Sequence, residues 1–143
     1  MQFDPNNKIV KLCTEGMNFE GKGDAEEAHQ MFQQAWEEAS NNFEKFIAAH
    51  YIARHQSNVA DKLKWDETAL QLALQVEDEN MKASYPSLFL NIAKCYEDLK
   101  HFHNARENFQ LAQSFIDYLQ NDSYGNMIRA GIKNGIERTA SKL

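Results

Sequence analysis

The side chains of this protein that are best suited to chemistry are its histidines, but their spacing does not assemble a metal centre. His101 and His103 flank Phe102 and could supply two imidazole ligands, yet no third ligand is signalled near them. His50 and His55 lie five positions apart, whereas two ligands on one helix face lie four apart. A solvated turn explains the first pair better than a metal site does, and we predict no metal.

A glycine-rich segment and two cysteines offer the other chemical possibilities. The segment 21–24, Gly-Lys-Gly-Asp, lacks the spacing of a phosphate-binding loop and follows a helical pattern rather than a strand, so a helix-breaking turn explains it. Cys13 and Cys95 are far apart and have no C-x-x-C spacing, so we expect reduced, unbonded thiols. We therefore predict that the protein is not an enzyme and carries no cofactor.

Composition limits the classes of protein and partner. A chain of 143 residues with 43% hydrophobic and 25% charged residues is typical of a single globular domain, here residues 1–143. The net charge of −6 disfavours nucleic acid and anionic membranes, which both select basic surfaces. No apolar run approaches the roughly 18 residues of a membrane span. The first residues lack the layout of a signal peptide, so we expect a cytoplasmic protein.

Apolar residues three and four apart predict helices throughout, and no strand-like alternation occurs. Asp24, with Glu27 three residues later, reads as a capping box, while Pro5 and Pro86 each stand where a helix should begin. The predicted helix pairs cover residues 5–40, 42–79 and 84–120, and a closing helix covers about 123–141. In the middle pair, with helices at about 43–55 and 59–76, either Ala49 or Ala53 could be the small residue of close contact.

A fixed offset of 77 positions relates the first and last helix pairs, and it corresponds to two units of roughly 38 residues. Six of the seven pairs at this offset are apolar or small residues, and the seventh is a turn pair. The pairs are Leu12 with Phe89, Gly16 with Ala93, Phe19 with Tyr96, Gly23 with Lys100, Ala28 with Ala105, Phe32 with Phe109, and Ala35 with Ala112.

This pattern resembles the tetratricopeptide repeat family. That family's unit has a small residue in its first helix, an aromatic residue three positions later, a glycine in the turn, and alanine, aromatic and alanine in its second helix. The resemblance implies a right-handed α-solenoid of three helix-turn-helix repeats, completed by the C-terminal closing helix, because terminal repeats must cover an exposed apolar end. It covers about residues 9–120.

The resemblance also implies a function, because the family binds ligands along the concave surface formed by the first helix of each repeat. It places Cys13, Met17 and Glu20 of the first repeat on that surface, with Leu90, Lys94 and Glu97 at the same positions of the third. Cys13 and Met17 stand where chaperone-binding members have the first lysine and asparagine of their carboxylate clamp, so that clamp is not expected. The expected function is a protein-interaction module that binds a peptide segment or partner helix.

The expected partner segment contains at least one acidic group. Arg54, Lys94 and Asn91 would grip that group, and Met17 and Leu90 would give apolar contact. The full set of predicted partner-binding residues is Met17, His50, Arg54, Leu90, Asn91, Lys94 and Glu97.

Three alternatives stay open at the level of sequence. Arg54 and Lys94 could simply pair with neighbouring carboxylates and water. The protein could instead be a small helical enzyme or ligand-binding protein with a site around His50, Arg54 and Glu97. It could also associate as a homodimer, and nothing in the sequence names the partner.

Overall fold

The computed structural model describes residues 3–143, and over this range the chain is all-α, as the sequence predicts. Met1 and Gln2, which begin the segment considered for a signal peptide, lie outside the described residues. Two short 3₁₀ segments, Glu79–Ser84 and Ile116–Tyr118, accompany the α-helices, and no strand forms within 3–143. The seven α-helices of this part of the chain are α1 Lys8–Gly21, α2 Ala25–Glu38, α3 Asn42–Ala53, α4 Val59–Leu74, α5 Tyr85–Asp98, α6 Phe102–Ser114 and α7 Ser123–Ala140.

The helices are distributed between two compact units. Unit 1, Met1–Val76, contains α1 to α4, and unit 2, Glu77–Leu143, contains α5 to α7. Within unit 1 the helices pack in consecutive pairs, α1 with α2 and α3 with α4, and α3 also contacts both α1 and α2. Within unit 2, α5 pairs with α6, and α7 contacts both of them. The closing helix α7 therefore packs on α5 and α6 as α3 packs on α1 and α2.

Side-chain caps fix where most of the helices begin. The side-chain oxygen of each capping residue accepts a hydrogen bond from a backbone amide in the first turn, which otherwise has no partner in the helix. At α2 only half of the predicted capping box forms. The Glu27 amide donates to the Asp24 carboxylate, but the Asp24 amide donates to the Phe19 carbonyl at 2.9 Å and not to the Glu27 side chain. The caps are Asn7 of α1, Asp24 of α2, Asn41 of α3, Asn58 of α4 and Asp122 of α7.

The two prolines differ in position. Pro86 lies in the first turn of α5, where a missing amide does no harm. Pro5 was predicted at a helix start, but it lies in the turn before α1, because Asn7 caps the helix two residues later.

The turn after α1 and the turn after α5 have the same pattern of hydrogen bonds, at positions 77 residues apart. The Gly23 amide donates to the Glu20 carbonyl and the Lys100 amide to the Glu97 carbonyl, both at 3.0 Å. Gly23 has φ of 79° and Lys100 has φ of 64°, so both occupy the left-handed region that ends many helices. The structure therefore confirms the turn pair that the sequence offset predicts.

A buried phenylalanine packs against a residue without a side chain in each unit. A Cβ placed on Gly16 of α1 would lie 2.3 Å from the Phe32 ring, and one placed on Gly135 of α7 would lie 2.2 Å from the Phe109 ring. Both rings are completely shielded from solvent. Phe32 and Phe109 thus hold neighbouring helices together at a distance that only a glycine at those positions permits.

The middle helix pair buries both of the alanines that the sequence offers as its small residue of close contact. Ala49 and Ala53 are both fully buried on α3, together with Phe46, Ile47 and Ile52. Burial extends around most of the helix because α3 contacts α1, α2 and α4. Close contact is therefore shared between the two alanines.

Substitution of Gly16 tests whether the close approach to Phe32 limits stability. We expect Gly16→Ala to lower the free energy of unfolding by about 1–3 kcal/mol, because the added methyl would overlap the completely buried Phe32 ring. Urea titration followed by tryptophan fluorescence reports on unit 1, since Trp36 and Trp65 are the two tryptophans of the chain. Gly21→Ala is the control, because a Cβ there meets nothing within 4 Å. Equal stability of the two variants would contradict the packing argument.

Candidate binding site

An ion-paired cluster in unit 1 joins the end of α1 to the residues that follow α3. The Glu20 carboxylate accepts a hydrogen bond from the Arg54 guanidinium through one oxygen. Its other oxygen accepts from His55 Nε2 at 2.8 Å, since a carboxylate offers no donor to the imidazole. Together with Tyr51, these three residues are called the Glu20 cluster below. The Arg54 side chain remains 43% exposed, whereas that of Glu20 is 22% exposed.

Aromatic rings support both donors of the Glu20 cluster. The Arg54 guanidinium lies over the Tyr51 ring at 5.0 Å from its centroid. Tyr51 in turn stacks on Phe32, with centroids 5.1 Å apart and planes 13° apart, and the His55 ring lies 5.3 Å from that of Phe32. The buried phenylalanine that packs on Gly16 therefore also positions the arginine and the histidine.

His50 lies one helical turn before Arg54 and has a different character. Its Nδ1 is buried and has no hydrogen-bond partner, and its ring lies 5.2 Å from the Tyr51 ring. Burial, together with the nearby positive charges of Arg54 and Lys62, lowers the pKa of His50 to about 4. His50 is therefore neutral at pH 7 and adds no positive charge to the surface around Arg54.

Unit 2 contains a second ion-paired cluster around Glu97 of α5. Arg138 of α7 donates to both carboxylate oxygens, at 2.8 and 2.9 Å. Lys94 lies 3.7 Å from the same carboxylate and bonds Asp98 at 2.8 Å. The Arg138 hydrogen bonds lower the pKa of Glu97, and the Asp98 hydrogen bond raises that of Lys94. Glu20 and Glu97 occupy corresponding positions at the 77-residue offset, and each accepts from an arginine farther along its own unit.

The predicted partner-binding residues divide between the two units. Met17, His50 and Arg54 lie in unit 1, with Met17 37% exposed on α1 and one turn before Glu20. The others, Leu90, Asn91, Lys94 and Glu97, lie on α5 in unit 2. Their role in binding stays a prediction.

Two of the residues that the resemblance places on the concave surface are partly or fully shielded from solvent. Cys13 is buried, and desolvation raises the pKa of its thiol to about 12, so it stays protonated and unreactive. Leu90 is half-buried, packs against the cluster of Ala93, Ala105 and Phe109, and lies against Gly131 of α7. Cys13 and Cys95 are both buried and reduced.

The structure shows the pairing that sequence analysis left as an alternative, because Arg54 and Lys94 each contact carboxylates of their own unit. Sequence reasoning missed His55, Tyr51 and Arg138 as members of the two clusters. The two carboxylates themselves, Glu20 and Glu97, were already placed at equivalent positions of the predicted surface by the 77-residue offset. No signal in the sequence marks Arg138 as the partner of Glu97, since the two are 41 residues apart.

Over residues 3–143, no group of three or more histidine, cysteine, aspartate or glutamate side chains is arranged to hold a metal ion. No helix of this range has the length and apolarity needed to cross a membrane. His101 and His103 line an open depression of about 330 Å³ together with Lys100, Phe102, Asn104, Lys142 and Leu143.

Comparison with family models, curated proteins and solved structures gives no match for this chain. The relation to the tetratricopeptide repeat family therefore stays a prediction from its residues.

The lowered pKa of His50 predicts that the free energy of unfolding decreases in acid. Its pKa of about 4 in the folded protein lies below the ordinary value of about 6.5, so the unfolded chain binds the extra proton first. The free energy of unfolding therefore has its full value above about pH 6.5, where His50 is neutral in both states. It decreases as the pH falls toward 4, by at most about 3 kcal/mol.

Urea midpoints of tryptophan fluorescence at pH 7 and pH 4.5 measure this loss. We expect His50→Gln to show a smaller difference between the two pH values than the unsubstituted protein. His103→Gln, at an exposed position in unit 2, serves as the control and should behave as the unsubstituted protein does. If His50→Gln retains the full pH dependence, the source lies elsewhere.

Proposed function

We propose that this protein is a non-catalytic interaction module of tetratricopeptide-like construction that binds a protein segment containing an acidic group. The observation that carries the proposal is the Arg54 guanidinium, which is partly exposed while the Tyr51 ring and the Glu20 carboxylate hold it in place. A cation fixed in this way binds a carboxylate with little loss of side-chain entropy.

Three structural features support a tetratricopeptide-like construction within each unit. The turns after α1 and α5 have the same hydrogen-bond pattern, and each has a residue in the left-handed region, at positions 77 residues apart. Phe32 and Phe109 are buried at the corresponding position, where the family has its second-helix aromatic residue. Each of them packs against a residue with a small side chain or none, Gly16 for Phe32 and Ala93 for Phe109. The arrangement of the helix pairs as a right-handed solenoid is likewise part of what we propose.

The neighbourhood of Arg54 fits a protein segment. Met17 is exposed one turn before Glu20, so it can add an adaptable apolar contact next to the charged one. Recognition of this kind combines an acidic group with a neighbouring apolar side chain on one segment. In unit 2, Lys94 offers a second exposed cation, and Asn91 precedes it by three positions on α5. A cytoplasmic location is part of the same proposal.

The proposal is tested by replacing the two cations. We expect Arg54→Ala and Lys94→Ala, singly and together, to reduce recovery of the partner when the tagged protein is used to capture binders from its native cell extract. Lys11→Ala and Lys133→Ala are matched controls, because each removes an exposed lysine from the same unit without touching either ion-paired cluster. Circular dichroism establishes that each variant is folded.

Unchanged recovery by a folded double variant would reject the assignment of binding to Arg54 and Lys94. Loss of recovery in the control variants as well would indicate general electrostatic attraction rather than a specific site.

A further inference from the structure

The carboxylate site formed by Arg54 and His55 is filled by a residue of the same chain. Glu20 presents one oxygen to the guanidinium and the other to the imidazole, which is how an incoming carboxylate would bind. We propose that Glu20 is an internal occupant of this site, and that the acidic group of a partner segment binds by displacing it. This inference rests on the proposed function and describes how the same site is regulated.

The donors of the site have supports that do not depend on Glu20. Arg54 follows the last residue of α3, where a positive charge is favoured by the helix dipole, and its guanidinium lies over Tyr51. His55 and Tyr51 both rest against the Phe32 ring, which is completely buried. Removal of the Glu20 carboxylate therefore leaves the guanidinium and the imidazole near their present positions, ready for another carboxylate.

Glu20 can leave the site at a modest energetic cost. It is the last residue but one of α1, and the turn that follows the helix, residues 22–24, is exposed. Rotation of its side chain moves the carboxylate into water without a change in the helix. A partly exposed ion pair contributes on the order of 1 kcal/mol, which a partner with one carboxylate and an apolar contact can exceed.

The corresponding carboxylate in unit 2 is held more firmly. Glu97 accepts two hydrogen bonds from the single guanidinium of Arg138, a bidentate arrangement, and only 13% of its side chain is exposed. Glu20 is more exposed and divides its oxygens between two side chains. The comparison indicates that exchange occurs in unit 1, at Arg54 and His55.

The ligand class follows from the two donors. Glu20 binds through both oxygens of one planar carboxylate, so the displacing group is a carboxylate with both oxygens accessible. Two sources share this chemistry, the side chain of a glutamate or aspartate and the end of a polypeptide chain. An apolar residue beside the carboxylate would lie near Met17, which is one turn from Glu20.

Nuclear magnetic resonance of the whole protein tests the displacement with two short peptides. One has capped ends and an internal glutamate beside a leucine, and the other has a free C-terminal carboxylate and no acidic side chain. Binding is followed by the side-chain signals of Arg54 and His55. We expect Glu20→Gln to bind one of these peptides at least about tenfold more tightly than the unsubstituted protein, because the competing charge is gone.

Matched variants separate the explanations. Glu15→Gln removes an exposed carboxylate from the same helix and should leave the affinity unchanged. Glu20→Gln combined with Arg54→Ala should lose the gain. The peptide that binds Glu20→Gln more tightly identifies the source of the carboxylate.

The possible results distinguish this inference from the function on which it depends. If the unsubstituted protein and Glu20→Gln bind equally well at Arg54, the site binds carboxylates but Glu20 does not regulate it. If neither peptide moves the Arg54 signals in any variant, the proposed binding function at Arg54 is itself wrong. A measurement on the unsubstituted protein does not depend on how the variants fold, because the Glu20 carboxyl carbon signal must shift as peptide saturates the site. An unchanged Glu20 signal at saturation would overturn the displacement.

Discussion

The packing of a buried phenylalanine against a glycine is the constraint on which the rest of unit 1 depends. Phe32 occupies the space that a side chain on Gly16 would need, so α1 and α2 approach closely at this point. Tyr51 stacks on the Phe32 ring, and His55 also contacts it. The ring is thus both a core residue and the support of Arg54. In close-packed interiors a shift of such a ring is passed to its neighbours, so the core and the candidate site are mechanically one structure.

Charge is arranged in this protein so that the cations at the candidate sites are already paired. The chain has a net charge of −6, and Arg54, Lys94 and Arg138 all contact carboxylates of their own unit. Exposed ion pairs of this kind contribute little to stability. They nevertheless fix the orientation of the cations, and the proposed binding of an acidic segment would have to replace one carboxylate by another. Exchange of the internal carboxylate for one from the partner gives specificity for carboxylates without a large gain in total affinity.

Units 1 and 2 use two positions related by the 77-residue offset differently. Glu20 and Glu97 are equivalent in the 77-residue offset, and both bond an arginine farther along the chain. In unit 1 the arginine follows α3, and a histidine takes the second oxygen. In unit 2 the arginine belongs to the closing helix α7 and takes both oxygens. The closing helix therefore does more than cover the apolar face of α5 and α6, because it also fixes the carboxylate of α5.

The sequence by itself determined the parts of this protein that depend on residues a few positions apart. Apolar spacing gave helices close to the observed ones, as for α3, predicted at about 43–55 and observed at Asn42–Ala53. The offset relating Gly23 to Lys100 predicted two equivalent turns, because the hydrogen bonds that end a helix join residues only three to five positions apart. Only the tertiary structure decided the contacts of the candidate site. His55 lies 35 residues from Glu20, and Arg138 lies 41 from Glu97. Which side chains meet over such distances depends on how each helix is rotated about its axis, and close packing sets that rotation, as when Gly135 meets Phe109.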